Sequence, residues 1–221
     1  MENPNGILKI YRRLDRIYPE ARIKLIYRSP WQLLVATILS AQCTDDRVNR
    51  ITPPLFSDYP DISDYLKMKP AVLIKYIRSA GFFNNKAKNI LGAAKKITAE
   101  FAGKIPDNME ELLTVPGVAR KTANVVLGNA YNVVEGIAVD THVKRLSFRL
   151  GLSGNTVPEK IEADLMRSLA KRYWFRLTYL LIEHGRKTCK AVNPDCKGCP
   201  IKSLCPKTGT TEARKNGDTE K

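Results

Sequence analysis

The sequence predicts an all-α fold, and three observations carry that expectation. Apolar residues recur at helical spacing through most of the chain, as at Ile7, Ile10, Tyr11, Leu14 and Ile17. Pro116-Gly117 separates two such patterns and reads as a tight hairpin between helices. The one β-like run, 133–139 (V-V-E-G-I-A-V), is short and has no partner of similar character.

In chain order, residues 7–18 form a helix with basic residues opposite its apolar face, and Pro19 ends it. Residues 31–42 are apolar on nearly all sides, which places that helix in the core. It runs into Gln42-Cys43-Thr44-Asp45-Asp46. Gln42 is polar at the mouth of an apolar helix, and Cys43 reads as a buried thiol. Thr44 or Asp45 caps the next helix, which carries Val48 and Ile51 before Pro53-Pro54. Helices at 70–79 and 84–101 flank Gly81-Phe82-Phe83-Asn84, and one of the two phenylalanines belongs in the core. The second of these helices turns Ile90, Leu91, Ala94 and Ile97 inward and Lys86, Lys88, Lys95 and Lys96 outward. Short helical patterns at 108–114 and 119–130 bracket the hairpin. Helices at 141–150, 157–170 and 172–186 follow, the last buried through Leu177, Tyr179, Leu180 and Leu181, with a structural His184 near its end. The tail from Pro206 is too polar to fold alone.

Composition bounds the function. A chain of 221 residues, 43% hydrophobic, can bury one sizeable core or two small ones. The net charge of +15 favours a polyanionic partner, nucleic acid before an acidic membrane. The tail holds four basic and three acidic residues, so the excess belongs to the folded part. No apolar run reaches the length of a membrane span, and M-E-N-P-N-G lacks the order of a signal peptide. A cytosolic protein is expected, in which cysteines are metal ligands rather than disulfides.

Two stretches carry chemistry. In V-P-G-V-A-R-K-T-A-N-V-V the backbone N–H groups of the hairpin and of the following first turn form a seat for a phosphate. Lys121 sits in that turn, where the helix dipole and Arg120 both disfavour an ammonium charge, and a nucleophilic lysine must be neutral. A plain phosphate-facing lysine fits the same position. Asp140 precedes a helix and reads as its N-cap; an ionised carboxylate there can also stabilise a cationic sugar. The second stretch is C-x6-C-x2-C-x5-C at Cys189, Cys196, Cys199 and Cys205. Zinc and iron–sulfur centres both accept four cysteines. A metal would tie down a loop whose neighbourhood carries Arg186, Lys187, Lys190, Lys197 and Lys202 for DNA phosphates.

The hairpin stretch, followed by A-V-D-T-H, resembles the helix-hairpin-helix and Gly/Pro…Asp signature of the endonuclease III family of DNA glycosylases. The resemblance extends from about Trp31 to Cys205. It implies two helical domains with the active-site cleft between them: 22–135 with the helix-hairpin-helix, and 1–21 plus 136–206 with the cysteine loop, leaving 207–221 as a flexible tail. It implies Lys121 and Asp140 as the catalytic pair and a [4Fe–4S] cluster on the four cysteines. Gln42 would enter the space vacated by a base, Phe82 would wedge between bases, and Gly117, Ala119, Arg120 and His142 would meet DNA. The implied activity is a bifunctional DNA glycosylase and AP lyase of base excision repair. Acting as a cytoplasmic, nucleoid-associated monomer, it would excise oxidised pyrimidines from double-stranded DNA, and cut abasic sites, through a lysine Schiff base and β-elimination.

One departure stands out: Ala119 occupies the place of the family's second hairpin glycine, and its methyl narrows the approach of a phosphate. Two other readings remain. Monofunctional mismatch glycosylases share the cysteine loop but generally lack the lysine; the adenine-specific ones add a C-terminal domain, whereas this chain stops 16 residues after Cys205. A non-catalytic helix-hairpin-helix DNA-binding protein would not need both Lys121 and Asp140. A P-loop hydrolase is set aside, because no glycine pattern precedes Lys121.

Overall fold

The computed structural model describes residues 4–210, and all regular structure among them is helical. The chain divides into two compact units, Ile23–Glu135 and a second made of Met1–Arg22 with Gly136–Lys221. No helix among the described residues is long and apolar enough to cross a membrane.

The Ile23–Glu135 unit is built around α2 (Pro30–Leu39), in which every residue from Trp31 to Leu39 is buried. Pro30 opens it, a position where the missing N–H costs nothing, and Ser29 Oγ accepts from Gln32 N–H at 3.2 Å. The buried Gln32 amide is satisfied by Arg28 N–H, which donates to Oε1 at 2.9 Å. Around α2 pack α3 (Asp45–Asp58), α5 (Phe83–Glu100) and α7 (Arg120–Val126). Thr44 caps α3 by accepting from Arg47 N–H.

Contrary to expectation, α3 runs through Pro53-Pro54 to Asp58. Both prolines are exposed, so the carbonyls they leave without a donor face water, while fully buried Leu55 holds the last turn in the core. Two further helices, α4 (Pro70–Ile77) and α6 (Met109–Thr114), complete the unit, the latter capped by Asn108 Oδ1 on Glu111 N–H at 2.9 Å. Beyond α7 the chain continues in a π-helical turn, Leu127–Tyr131, braced by Asn129 Nδ2 donating to Val125 O at 2.7 Å. The β-like run 133–139 forms no strand.

The second unit packs α1 (Pro4–Ile17) and α8 (Thr141–Arg149) against α10 (Trp174–Lys187), with α9 (Pro158–Ser168) on α8. Leu14, Leu146, Leu177, Leu180 and Leu181 are fully buried at its centre. Arg176 on α10 fastens the end of α1: it pairs with Asp15 at 2.9 Å and donates to the carbonyls of Tyr18, Pro19 and Ala21. The first residues of the expected tail make contacts with the unit. Thr210 is buried, its hydroxyl donates to Lys207 O at 2.7 Å, and Gly209 lies against the Phe148 ring of α8. Residues 211–221, the remainder of that tail, lie outside the described residues.

Candidate functional site

The hairpin is a type II turn. Pro116 takes its second position and Gly117 its third at φ +80°, with Val118 N–H donating back to Val115 O at 3.1 Å. Gly117 is required twice over: a side chain would strain that φ, and a Cβ would come within 2.8 Å of Asn89 Cβ on α5. Pro116 in turn rests on Gly92, whose missing Cβ would stand at 3.4 Å. The hairpin is therefore seated on α5. Ala119 is the N-cap of α7, at φ −99° and ψ 170°, extended backbone that alanine adopts without strain. It offers no side-chain acceptor, so Ala119 makes no side-chain cap to the first turn of α7. Exposed Ala119 adjoins half-buried Arg120 and Lys121 in that first turn.

Two turns in the same unit hold exposed side chains in the left-handed region, Gln42 at φ 52° and Phe82 at φ 47°. For residues other than glycine this costs on the order of 1–3 kcal/mol. Phe82 is 65% exposed, while Phe83 is half-buried. Between the turns lies a residue placed wrongly by the sequence reading. Lys86 is buried, not outward, and its Nζ donates to Leu39 O at 2.9 Å and Ala80 O at 2.8 Å. Burial lowers its pKa, and the neighbouring Cys43 opposes that shift.

In the other unit Asp140 caps α8, its Oδ1 accepting from Val143 N–H at 2.8 Å. One turn on, Arg145 Nη2 meets His142 Nδ1 at 3.2 Å and donates to the carbonyls of Gly185 and Cys189, both at 3.0 Å. Gly185 makes room for this stack, since a Cβ there would lie 2.8 Å from His142 Nδ1. Arg149, another turn along, donates to Lys190 O at 2.7 Å and Ala191 O at 3.0 Å and touches Cys189 Sγ at 3.5 Å. Helix α8, which Asp140 begins, is thus bolted to the start of the cysteine loop.

Cys189, Cys196, Cys199 and Cys205 are half-buried free thiols that line one cavity with Arg149 and His184. Among the described residues no three His, Cys, Asp or Glu side chains converge closely enough to hold a single metal ion. All four thiols line one shared cavity, a donor set that zinc and iron–sulfur centres both accept. Burial pushes the Cys199 and Cys205 thiols up, so both must shed a proton to become ligands. His184 is 1% exposed, and burial lowers it to about 4, which keeps the ring neutral. Its Nδ1 bonds Tyr18 Oη at 3.0 Å; with Tyr18 donating, the ring proton sits on Nε2, 3.6 Å from Cys199 Sγ. Exposed Lys190, Lys197 and Lys202 surround the loop.

Sequence reasoning missed Lys86, Arg145, Arg149 and the contact of His184 with Cys199. For two of them a signal was present. Lys86 lies in helical register with buried Ile90, Ala93 and Ile97, and Arg149 with buried Leu146. Their charge argued for the surface and the periodicity argued against it.

Comparison with known proteins agrees with this architecture. Residues 35–171 match the HhH-GPD superfamily of base excision DNA repair proteins, which sets the class. The chain is 53% identical to Endonuclease III of Synechocystis over 193 residues, 87% of this chain and 88% of that protein. With Endonuclease III of Bacillus subtilis the identity is 45% over 197 residues, 87% and 89% of the two chains. A solved structure of a trapped Endonuclease III–DNA covalent intermediate superposes with a TM-score of 0.90 at 38% identity, covering 98% of this chain and 100% of that one. The chain belongs to the endonuclease III family of that superfamily.

Proposed function

We propose that the chain is a bifunctional DNA glycosylase and AP lyase of base excision repair, acting on oxidised pyrimidines and abasic sites in double-stranded DNA. The observation that carries this reading is family membership at 53% identity together with the covalent DNA complex known for a 38% identical relative. Lys121 on α7 is the nucleophile, and Asp140 at the head of α8 is the carboxylate that stabilises the sugar cation.

A base inside the stack is out of reach, so the damaged nucleotide is first extruded, at a cost of a few kcal/mol. The type II hairpin and the uncapped start of α7 receive a backbone phosphate on N–H donors, aided by Arg120. Gln42 and Phe82, presented by their strained turns, fill the vacated stack, and His142 meets DNA beside Asp140. The Lys121 amine attacks C1′ with its lone pair, the N-glycosidic bond breaks, and the base leaves with the bonding pair and takes up a proton. The nitrogen gives up one proton and O4′ takes one up as the C1′–O4′ bond breaks, which leaves a protonated Schiff base at C1′. Loss of a proton from C2′ then breaks the C3′–O bond, and the strand is nicked.

Cys189, Cys196, Cys199 and Cys205 would hold a [4Fe–4S] cluster, which supplies cross-linking of the loop. That all four thiols line one cavity supports this. Through Arg145 and Arg149 the loop sets α8, and with it Asp140, while Lys190, Lys197 and Lys202 meet phosphates.

The test is strand cleavage of an oxidised-pyrimidine duplex with and without hot alkali. A bifunctional enzyme nicks without alkali. Cleavage that appears only after alkali would mark a monofunctional glycosylase, and binding without cleavage a DNA-binding module; either outcome overturns the reading.

A further inference from the structure

We propose that Lys86 is a positioning residue, a buried cationic clamp that joins the Gln42 turn and the Phe82 turn into one rigid wedge. The inference rests on the reading that these two side chains fill the stack when a nucleotide is extruded. Its foundation is the pair of hydrogen bonds from Lys86 Nζ, one to Leu39 O at 2.9 Å and one to Ala80 O at 2.8 Å. Leu39 is the last residue of α2 and Ala80 the last of the 3₁₀ turn Arg78–Ala80. Helix C-terminal carbonyls lack the next N–H of their helix and carry the negative end of its dipole, so one ammonium suits both.

Each carbonyl stands just before a strained turn, three residues ahead of Gln42 and two ahead of Phe82. Both residues adopt positive φ although neither is glycine. Such backbone persists only where its surroundings enforce it. The Phe82 turn is also tied to α5 by the helix's first backbone bond, Lys86 N–H to Phe82 O at 3.1 Å, which substitutions of the side chain leave in place. An apolar side chain would satisfy burial at this position, which is only 4% exposed, but would leave two carbonyls without their donor. The arrangement accounts for a lysine on the apolar face of α5. It also makes the two turns move as one body rather than as separate loops.

The test separates extrusion from bond breaking. Excision is measured on duplex DNA with an oxidised pyrimidine, which must be flipped. Lyase cleavage is measured on a single-stranded abasic site, which has no base to extrude. Lys86→Met is expected to slow the first about tenfold and the second by less than about twofold. In a Phe82→Ala background, Lys86→Met is expected to add less than about twofold, because the clamp acts through that turn. Lys86→Gln retains two N–H donors and is expected to recover part of the loss; it replaces Lys86→Met if that variant loses its helical circular dichroism.

Amide exchange gives a readout independent of activity: residues 40–43 and 81–83 should exchange faster in the Lys86 variant while the rest of the unit is unchanged. Equal slowing of both reactions, full additivity with Phe82→Ala, or a uniform rise in exchange across the unit would overturn the proposal. A wild-type protein inert on both substrates would instead remove the reading of the activity, and the exchange experiment would still decide the clamp.

Discussion

Gly117→Ala is the substitution whose outcome the structure determines most fully. The added methyl meets two obstacles. Alanine at φ +80° occupies the left-handed region, at a cost of roughly 1–2 kcal/mol. Its Cβ would also stand 2.8 Å from Asn89 Cβ, with Asn89 Cγ at 3.2 Å, so either the hairpin or α5 must shift. Overpacking of this kind costs roughly 1–3 kcal/mol. The total is about 2–5 kcal/mol, and at about 2–4 °C per kcal/mol for a chain of this size the midpoint should fall by about 4–20 °C.

The near atom is a Cβ, so Asn89→Ala cannot relieve the clash and Asn89→Gly can. Thermal unfolding of the wild type, the three single variants and the two double variants, with affinity for an abasic-site duplex measured in parallel, checks this. Gly117→Ala should be rescued in part by Asn89→Gly and not by Asn89→Ala, and DNA affinity should fall as the hairpin moves. A destabilisation below about 0.5 kcal/mol, or equal rescue by both partners, would refute the claim that the hairpin is locked onto α5.

Other outcomes follow from the same structure. Ala119→Asp supplies the cap that α7 lacks, so stability should rise by about 1 kcal/mol while DNA affinity falls at least about tenfold; a change of both in the same direction would contradict the phosphate seat. Cys199→Ser should lower bound iron from about four per chain and weaken thermal stability, read by metal analysis and melting; undiminished iron would exclude this cysteine as a ligand. The Asp164 carboxylate is held below its usual range by hydrogen bonds from Ser153 and Asn155 and by Arg167. Its folded value lies below its unfolded one, so its contribution is complete above the unfolded value near pH 4 and is lost as pH falls through the lower folded value. Denaturant melts should therefore show Asp164→Ala destabilised by about 1 kcal/mol at neutral pH, with the gap closing only below about pH 4; a gap constant into strong acid would contradict the assignment.

Much of the fold was legible because its signals are local. The Pro116-Gly117 turn, the Thr44 and Asp140 caps and the nearly all-apolar α2 each follow from residues within a few positions of one another. The helical path through Pro53-Pro54 was not, because it depends on which side of α3 faces water. Lys86 and Arg149 show a different limit. Helical register placed both on buried faces, yet a charge can be buried only if partners wait there. For Lys86 those partners are carbonyls at the ends of other helices, and for Arg149 they are carbonyls of the cysteine loop; neither set is visible until the chain is folded. The cysteine loop was legible as a metal motif from spacing alone, while its attachment to α8 through two arginines was not.

The central claim is that one particular amine carries the bond to DNA. Borohydride reduction during reaction with abasic-site duplex, followed by proteolysis and mass spectrometry, reads that bond directly. The account predicts a sugar remnant on Lys121, and no adduct in Lys121→Gln. A remnant on another lysine, or an undiminished adduct in Lys121→Gln, would contradict it.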